Sequence, residues 1–412
     1  MKAIGIGCVV RTVGELLAVR LPAARVGEGV RVHTSMGTVR GRVESLDGKE
    51  AMVAPFATLS GVAVGDRVET SFDALTATLG YSMLGRACSA LGAPLDGGAP
   101  LRGMLRVVRA PADAGERLCV TTPFWTGVRG LDALLTIGRG ARIGLFGGPG
   151  TGKSMLLEAI AEGARGDAVV IALIGERGRE AAAWLQRVDA RTTIVCATAD
   201  RPAAERVRAA EVAMAQARTL RDAGLHVMLI VDSLARYATA LRELRAGLRE
   251  PPGRGGYPPT VLSALARYLE CAGASSGGSI TLIATVLSDG ADEREPLSDA
   301  ARAALDGHIV LSAELARSGR FPAIDVLAST SRTMHAVISE EHRRDASTVR
   351  TALSLLAETR DLRAVGFANA HDDALARAVA AEPTITAFLC QQGATPPHET
   401  LKRLKEIALT CS

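Results

Sequence analysis

Aromatic residues are scarce in this chain: seven Phe, four Tyr and two Trp are 3% of its 412 residues. Residues 1–73 hold only Phe56 and Phe72, with no Tyr or Trp. A platform for single-stranded nucleic acid stacks bases on several exposed rings, so that role is disfavoured for this segment. The seven cysteines stand singly, without a C-x-x-C pair. That argues against a disulfide framework or a zinc ribbon and makes reduced, buried thiols in a cytosolic protein the expectation. No apolar run approaches the roughly 18 to 20 residues that cross a bilayer. Met1-Lys2-Ala3-Ile4 lacks the long apolar region and small-residue cleavage site of a signal peptide. Charge of one sign is missing too: 48 basic and 44 acidic residues leave +4, which selects no particular partner.

What is present is a core. Hydrophobic residues make up 48% of a length that suggests two or three domains. Residues 1–73 read as short alternating runs, Cys8–Arg11, Leu16–Leu21, Gly29–His33, Thr38–Glu44, Ala51–Ala54 and Arg67–Glu69, separated by turns such as Asp47-Gly48 and Gly65-Asp66. Six strands at this spacing predict a small barrel. A linking region follows, with turns at Gly85-Arg86 and Pro94 to Gly98. Between about 135 and 330, apolar runs alternate with helix-length segments: Ile143–Phe146, Val169–Ile174, Thr193–Ala197, His226–Val231, Ile280–Val286, His308–Leu311 and Ile324–Leu327. That pattern predicts a parallel sheet covered on both faces, with ligands at the carboxyl ends of its strands. The tail from about 340 is helical, with Val349, Leu353, Leu356 and Ala357 on one face and Thr395-Pro396 opening a last helix. The domains expected are therefore 1–73, 74–340 and 341–412.

The segment Gly147-Gly148-Pro149-Gly150-Thr151-Gly152-Lys153-Ser154 matches G-x-x-x-x-G-K-[ST], between an apolar strand and an apolar helix start. Backbone N–H groups and a helix N-terminus then surround an anion, which is how a nucleoside triphosphate is held. Lys153 adds charge at the β- and γ-phosphates and Ser154 a hydroxyl for Mg²⁺. Asp232 ends the run His226–Val231, the position of a second Mg²⁺ ligand. Glu176 ends another apolar strand, where a carboxylate can orient and polarise an attacking water.

Longer blocks accompany these: Gly175-Glu176-Arg177-Gly178-Arg179-Glu180, Val231-Asp232-Ser233-Leu234-Ala235-Arg236-Tyr237, Gly256-Tyr257-Pro258-Pro259, Leu305 to Ser312, and Phe321 to Ser329 ending in Ser331-Arg332. Together they resemble the type III protein-export ATPases, flagellar or virulence-associated, relatives of the rotary ATP synthase catalytic subunit. The resemblance covers nearly the whole chain, most strongly Thr126 to Met334. It implies a RecA-like P-loop NTPase core with a parallel sheet, preceded by a small N-terminal β-barrel and followed by a C-terminal helical domain. By the same resemblance Glu176 is the catalytic carboxylate, Arg177 a γ-phosphate contact, and Arg332 an arginine finger reaching the neighbouring subunit's site, worth on the order of 10³ in rate. Phe321 stands where the family usually has Tyr and would lie against the adenine. The loop Glu250 to Pro259 would face the pore of a ring.

The implied function is Mg²⁺-dependent ATP hydrolysis that energises export by releasing chaperones from substrates and unfolding them. The implied setting is a cytoplasmic homo-hexamer, peripheral at the inner face of the membrane, meeting export substrates, chaperones, central-stalk and stator proteins and the export gate, and no nucleic acid. Two alternatives share the core. A rotary synthase catalytic subunit would carry a longer C-terminal domain with an acidic stalk-contact helix, whereas Glu340 to Asp345 is mixed in sign. An RNA-dependent hexameric helicase would need the rings that residues 1–73 lack. This sequence departs from the family in its P-loop filling, and it enters the first barrel strand without the amphipathic segment that many relatives offer the stator.

Overall fold

A computed structural model describes residues 5–108, 118–287, 296–364 and 373–412. The chain divides into two compact units, the first comprising residues 1–117, 167–284 and 294–304, the second 118–166, 285–293 and 305–412.

The first unit opens with the barrel. Its strands are β1 (Ile6–Val13), β2 (Leu16–Arg20), β3 (Gly29–Thr34), β4 (Gly37–Asp47), β5 (Glu50–Pro55) and β6 (Arg67–Thr70). They close in the order β1-β2-β5-β4-β3-β6, every pairing antiparallel. Alternation explains the closure: Val9, Leu17, Val19, Val30, Val32, Val43, Val53 and Val68 turn inward to fill the lumen. The six strands expected from the sequence are all present. Phe56 is buried beneath the Arg208 guanidinium, 5.1 Å from its ring centroid, so of the segment's two phenylalanines only Phe72 is exposed.

Beyond the barrel lie β7 (Arg86–Ser89), β8 (Arg142–Gly147), β9 (Ala168–Ile174), β10 (Thr192–Ala197), β11 (His226–Asp232), β12 (Ser279–Leu287), β13 (Gly307–Leu311) and β14 (Ile324–Ser331). The helices that matter below are α1 (Lys153–Gly163), α2 (Gly178–Leu185), α3 (Ala203–Asp222), α4 (Leu234–Gly247), α5 (Pro259–Glu270), α6 (Pro296–Ala304), α7 (Glu340–Glu358), α8 (Asp373–Leu389) and α9 (Pro397–Cys411). In the first unit the strand order is β12-β11-β9-β10-β7, all parallel. All seven residues of β9 are buried, as a strand covered on both faces requires. α3 packs across β9, β10 and β11; its many alanines let it lie close, and Arg208, Glu211 and Gln216 are buried with it. The sequence predicts a turn at Gly85-Arg86 within a linking region, whereas Arg86–Ser89 form the parallel edge strand β7.

In the second unit β8 and β13 pair in parallel, and β14 runs antiparallel to β13. The last run of the expected parallel sheet is thus reversed, because hydropathy reports burial and not strand direction. α7 packs on α8 and α9, burying Ala346, Val349, Ala352 and Leu356, while Ala357 is exposed. α9 is capped by Pro396 with Pro397 at its first turn, one residue later than expected. Of the cysteines, Cys88, Cys196 and Cys271 are buried, but Cys119 is exposed.

Candidate functional site

The P-loop belongs to the second unit. β8 ends at Gly147 and α1 begins at Lys153, with Gly152 as its N-cap. Gly150 (φ +75°) and Gly152 (φ +87°) both adopt the left-handed region, which costs a residue with a Cβ. Left-handed turns just ahead of the positive end of α1 are what an anion cradle is built from. Thr151 is buried and donates its hydroxyl to the Gly148 carbonyl at 2.9 Å. Lys153 Nζ donates to the Gly147 and Gly148 carbonyls, each at 2.6 Å. Ser154 is exposed on the first turn of α1. A Cβ at Gly152 would lie 3.3 Å from the Phe321 ring, so Phe321 stands against the loop. Gln391 holds the backbone there, its N–H donating to the Phe321 carbonyl at 3.0 Å.

The strand-end carboxylates belong to the first unit. Glu176 follows β9 and is only 6% exposed. Gly175 before it has φ +67°, and a Cβ there would press on Arg236 at 3.2 Å. Arg236 reaches from the first turn of α4 and donates through Nη1 to the Gly175 carbonyl at 2.6 Å, pairing with Glu176 Oε1 at 2.5 Å. Ser233 caps α4 by accepting the Arg236 N–H at 3.3 Å, fixing where that arginine begins. Asp232 closes β11, half-buried.

Burial pushes the Glu176 carboxyl up to about 8; a hydrogen bond with Glu180 and the charge of Asp232 add to it, and Arg236 opposes them. The same hydrogen bond holds Glu180 below its usual value. A buried carboxyl that takes up a proton near neutral pH is a competent proton acceptor for a water molecule.

The two arginines singled out from the sequence are exposed. Arg177 caps α2, its side chain 69% exposed, with Glu180 at 3.9 Å. Arg332 follows β14 at the surface of the second unit.

The P-loop fits the phosphates of a nucleotide: its glycine turns form the cradle a phosphate needs, and the Ser154 hydroxyl is a hard oxygen donor. In the first unit the Asp232 carboxylate is a hard oxygen donor too. Among the described residues, no group of three or more His, Cys, Asp and Glu side chains is arranged to hold a metal. Mg²⁺ that arrives on substrate phosphates and keeps most of its waters needs no such cage.

Residues 127–331 match the model of the ATP synthase alpha/beta family nucleotide-binding domain, and residues 338–406 match the T3SS EscN ATPase C-terminal domain. A type 3 secretion system ATPase of Sinorhizobium fredii is 41% identical over 93% of this chain and 88% of its own length. The chain belongs to the type III secretion and flagellar export ATPases. Another relative, the flagellum-specific ATP synthase of Salmonella typhimurium, is also 41% identical, over 86% of this chain and 81% of its own. The assembled ATPase EscN of the enteropathogenic E. coli type III secretion system superposes with a TM-score of 0.91 at 36% identity, covering 98% of this chain and 100% of that one.

In this export ATPase the sequence marks Glu176 and Asp232 as strand-end carboxylates but does not single out what holds Glu176. Arg236 lies in the block Val231 to Tyr237, and it is the cation that grips Glu176. Its one legible signal was a position four residues beyond Asp232, one helical turn from a strand-end acid. Glu180, at the end of the block Gly175 to Glu180, is a hydrogen-bond partner of Glu176. No helix among the described residues is long and apolar enough to cross a membrane.

Proposed function

We propose that the chain hydrolyses Mg-ATP to energise type III protein export, with Glu176 as the acceptor of the attacking water's proton. The observation that carries this reading is the Glu176 carboxyl: buried at a strand end, raised in proton affinity and gripped by Arg236. Lys153, folded onto two loop carbonyls, would exchange them for phosphate oxygens. Phe321 would pack on the adenine. Ser154 and Asp232 would hold Mg²⁺, which when bound neutralises charge on the phosphates. Arg177 is exposed and would contact the γ-phosphate, and Arg332 is exposed as a finger for a neighbouring subunit must be. A chain carrying both P-loop and finger suits a closed homo-hexamer.

Export substrates, secretion chaperones, a stator and an export gate are the partners that the family resemblance implies; relatives named type 3 secretion system ATPase and the match of residues 338–406 support the secretion setting. A central stalk is supported by EscN in complex with its central stalk EscO, whose protein superposes with a TM-score of 0.88. Cytoplasmic placement at the inner face of the membrane, chaperone release and substrate unfolding belong to the same reading. The test is Glu176→Gln: nucleotide binding should persist while single-turnover hydrolysis falls at least about 10²-fold. Hydrolysis at the native rate would remove Glu176 from the mechanism.

A further inference from the structure

The backbone that carries Arg332 is clamped on every side, although the side chain itself is exposed. Ser331, buried, donates its hydroxyl to the Thr136 carbonyl at 2.7 Å. Thr333 Oγ1 accepts the Gly138 N–H at 3.0 Å. Between them the Arg332 N–H donates to the Asp306 carbonyl at 2.9 Å. Asp306 is in turn held by Arg142: the Arg142 N–H and Nε both donate to Oδ2, at 2.9 and 3.0 Å, and Nη2 donates to Oδ1 at 3.0 Å. The Asp306 N–H donates back to the Arg142 carbonyl at 2.7 Å. Arg142 is the first residue of β8, whose last residue, Gly147, opens the P-loop.

We propose that the Arg142–Asp306 fork is a positioning device for the arginine finger. It ties the backbone of Arg332 to the root of the P-loop strand, so that a subunit's nucleotide loop and the finger it lends move as one body. A planar guanidinium on both oxygens of a carboxylate fixes orientation as well as distance, which an ammonium cannot do. The side chains are 18% and 27% exposed, so the fork is largely shielded from solvent. It is not needed to pair the strands: β8 and β13 are already in register from Ile143↔Gly307 to Phe146↔Val310, with Ile143, Leu145 and Ile309 buried. Arg142 and Asp306 touch no reacting atom and act through Arg332. The inference therefore rests on reading Arg332 as a finger used in trans.

Subunit mixing separates the two ideas. Full-length Asp306→Asn keeps the side-chain shape but loses the charge and one acceptor. Its kcat should fall about 10- to 100-fold, as displacement of a catalytic group by about 1 Å does, with KM for ATP unchanged. Mixed with Lys153→Ala subunits, which cannot use ATP but present an intact finger, it should hydrolyse faster than the two proteins assayed apart. Arg142→Lys should show the same split and the same rescue. The control mixture is Arg332→Ala with Lys153→Ala. If the control is rescued and the Asp306→Asn and Arg142→Lys mixtures are not, or if either variant acts by raising KM, the fork serves its own subunit's site or its folding and the proposal is overturned. If the control itself is not rescued, the finger does not act in trans and the proposal falls with that reading.

Discussion

Replacing Glu176 with Gln should stabilise the nucleotide-free protein at alkaline pH even as it abolishes turnover. The Glu176 carboxyl is 6% exposed and is pushed from its ordinary 4.5 up to about 8, by burial first, then by the Glu180 hydrogen bond and the Asp232 charge. A folded-state value above the unfolded one means that the folded protein holds this proton more tightly. The group is therefore at its most favourable below about pH 4.5, and its stability contribution is lost as pH rises from there to about 8. At about 1.4 kcal/mol per pH unit the full rise corresponds to about 5 kcal/mol. Glu180, lowered by the same hydrogen bond, recovers part of that. Gln reproduces the protonated carboxyl: its amide donates to Glu180 and its carbonyl accepts from Arg236. Thermal unfolding followed by circular dichroism at pH 5, 7 and 9 should give equal midpoints at pH 5. By pH 9 the variant should lead by several degrees. An equal or lower midpoint for the variant at pH 9 would refute the reasoning and take away the physical basis for Glu176 as proton acceptor.

Gly152→Ala forces a Cβ onto a residue at φ +87° and into van der Waals conflict with the Phe321 ring 3.3 Å away. Isothermal titration with ADP should give at least about tenfold weaker binding, roughly 1.4 kcal/mol; unchanged affinity would mean the loop does not need this conformation. In the first unit, Arg42 Nη1 donates to both Glu211 oxygens at 2.8 Å where the two residues are 8% and 2% exposed. Arg42 Nε also pairs with Glu44 Oε1 at 2.7 Å, so Glu211→Ala leaves the Arg42 charge with one partner of two and should cost about 1.5 to 3 kcal/mol in denaturant unfolding; an unchanged midpoint would contradict the pairing.

The barrel and the sheet strands were legible because alternation and continuous apolar runs are the direct imprint of one-sided and two-sided burial. Strand ends were legible for the same reason: polarity returns where cover stops, which is why Glu176 and Asp232 stood out. Arg86–Ser89 was not legible, since a four-residue edge strand with Arg at one end and Ser at the other carries no period. The antiparallel direction of β14 was hidden because an apolar run reads alike both ways. Ala357 was misplaced because adjacent helical positions lie about 100° apart, so Leu356 and Ala357 cannot share one narrow face. Two consecutive prolines, 396 and 397, each suit a helix start, and only the extended φ −61°, ψ 144° of Pro396 decides between them. The grip of Arg236 on Glu176 and the fork of Arg142 on Asp306 join residues far apart in the chain. Each depends on the sheet to bring its partners together, and no local spacing announces it.

The proposed hydrolysis site needs two copies of this chain, one to give Lys153, Glu176 and Asp232 and the other Arg332. Steady-state ATPase rate per subunit, measured across a dilution series alongside the oligomer mass distribution, tests it most directly. The account predicts a specific activity that is low in monomers and climbs with assembly to a plateau in closed rings. A specific activity that stays constant down to concentrations at which only monomers remain would contradict it.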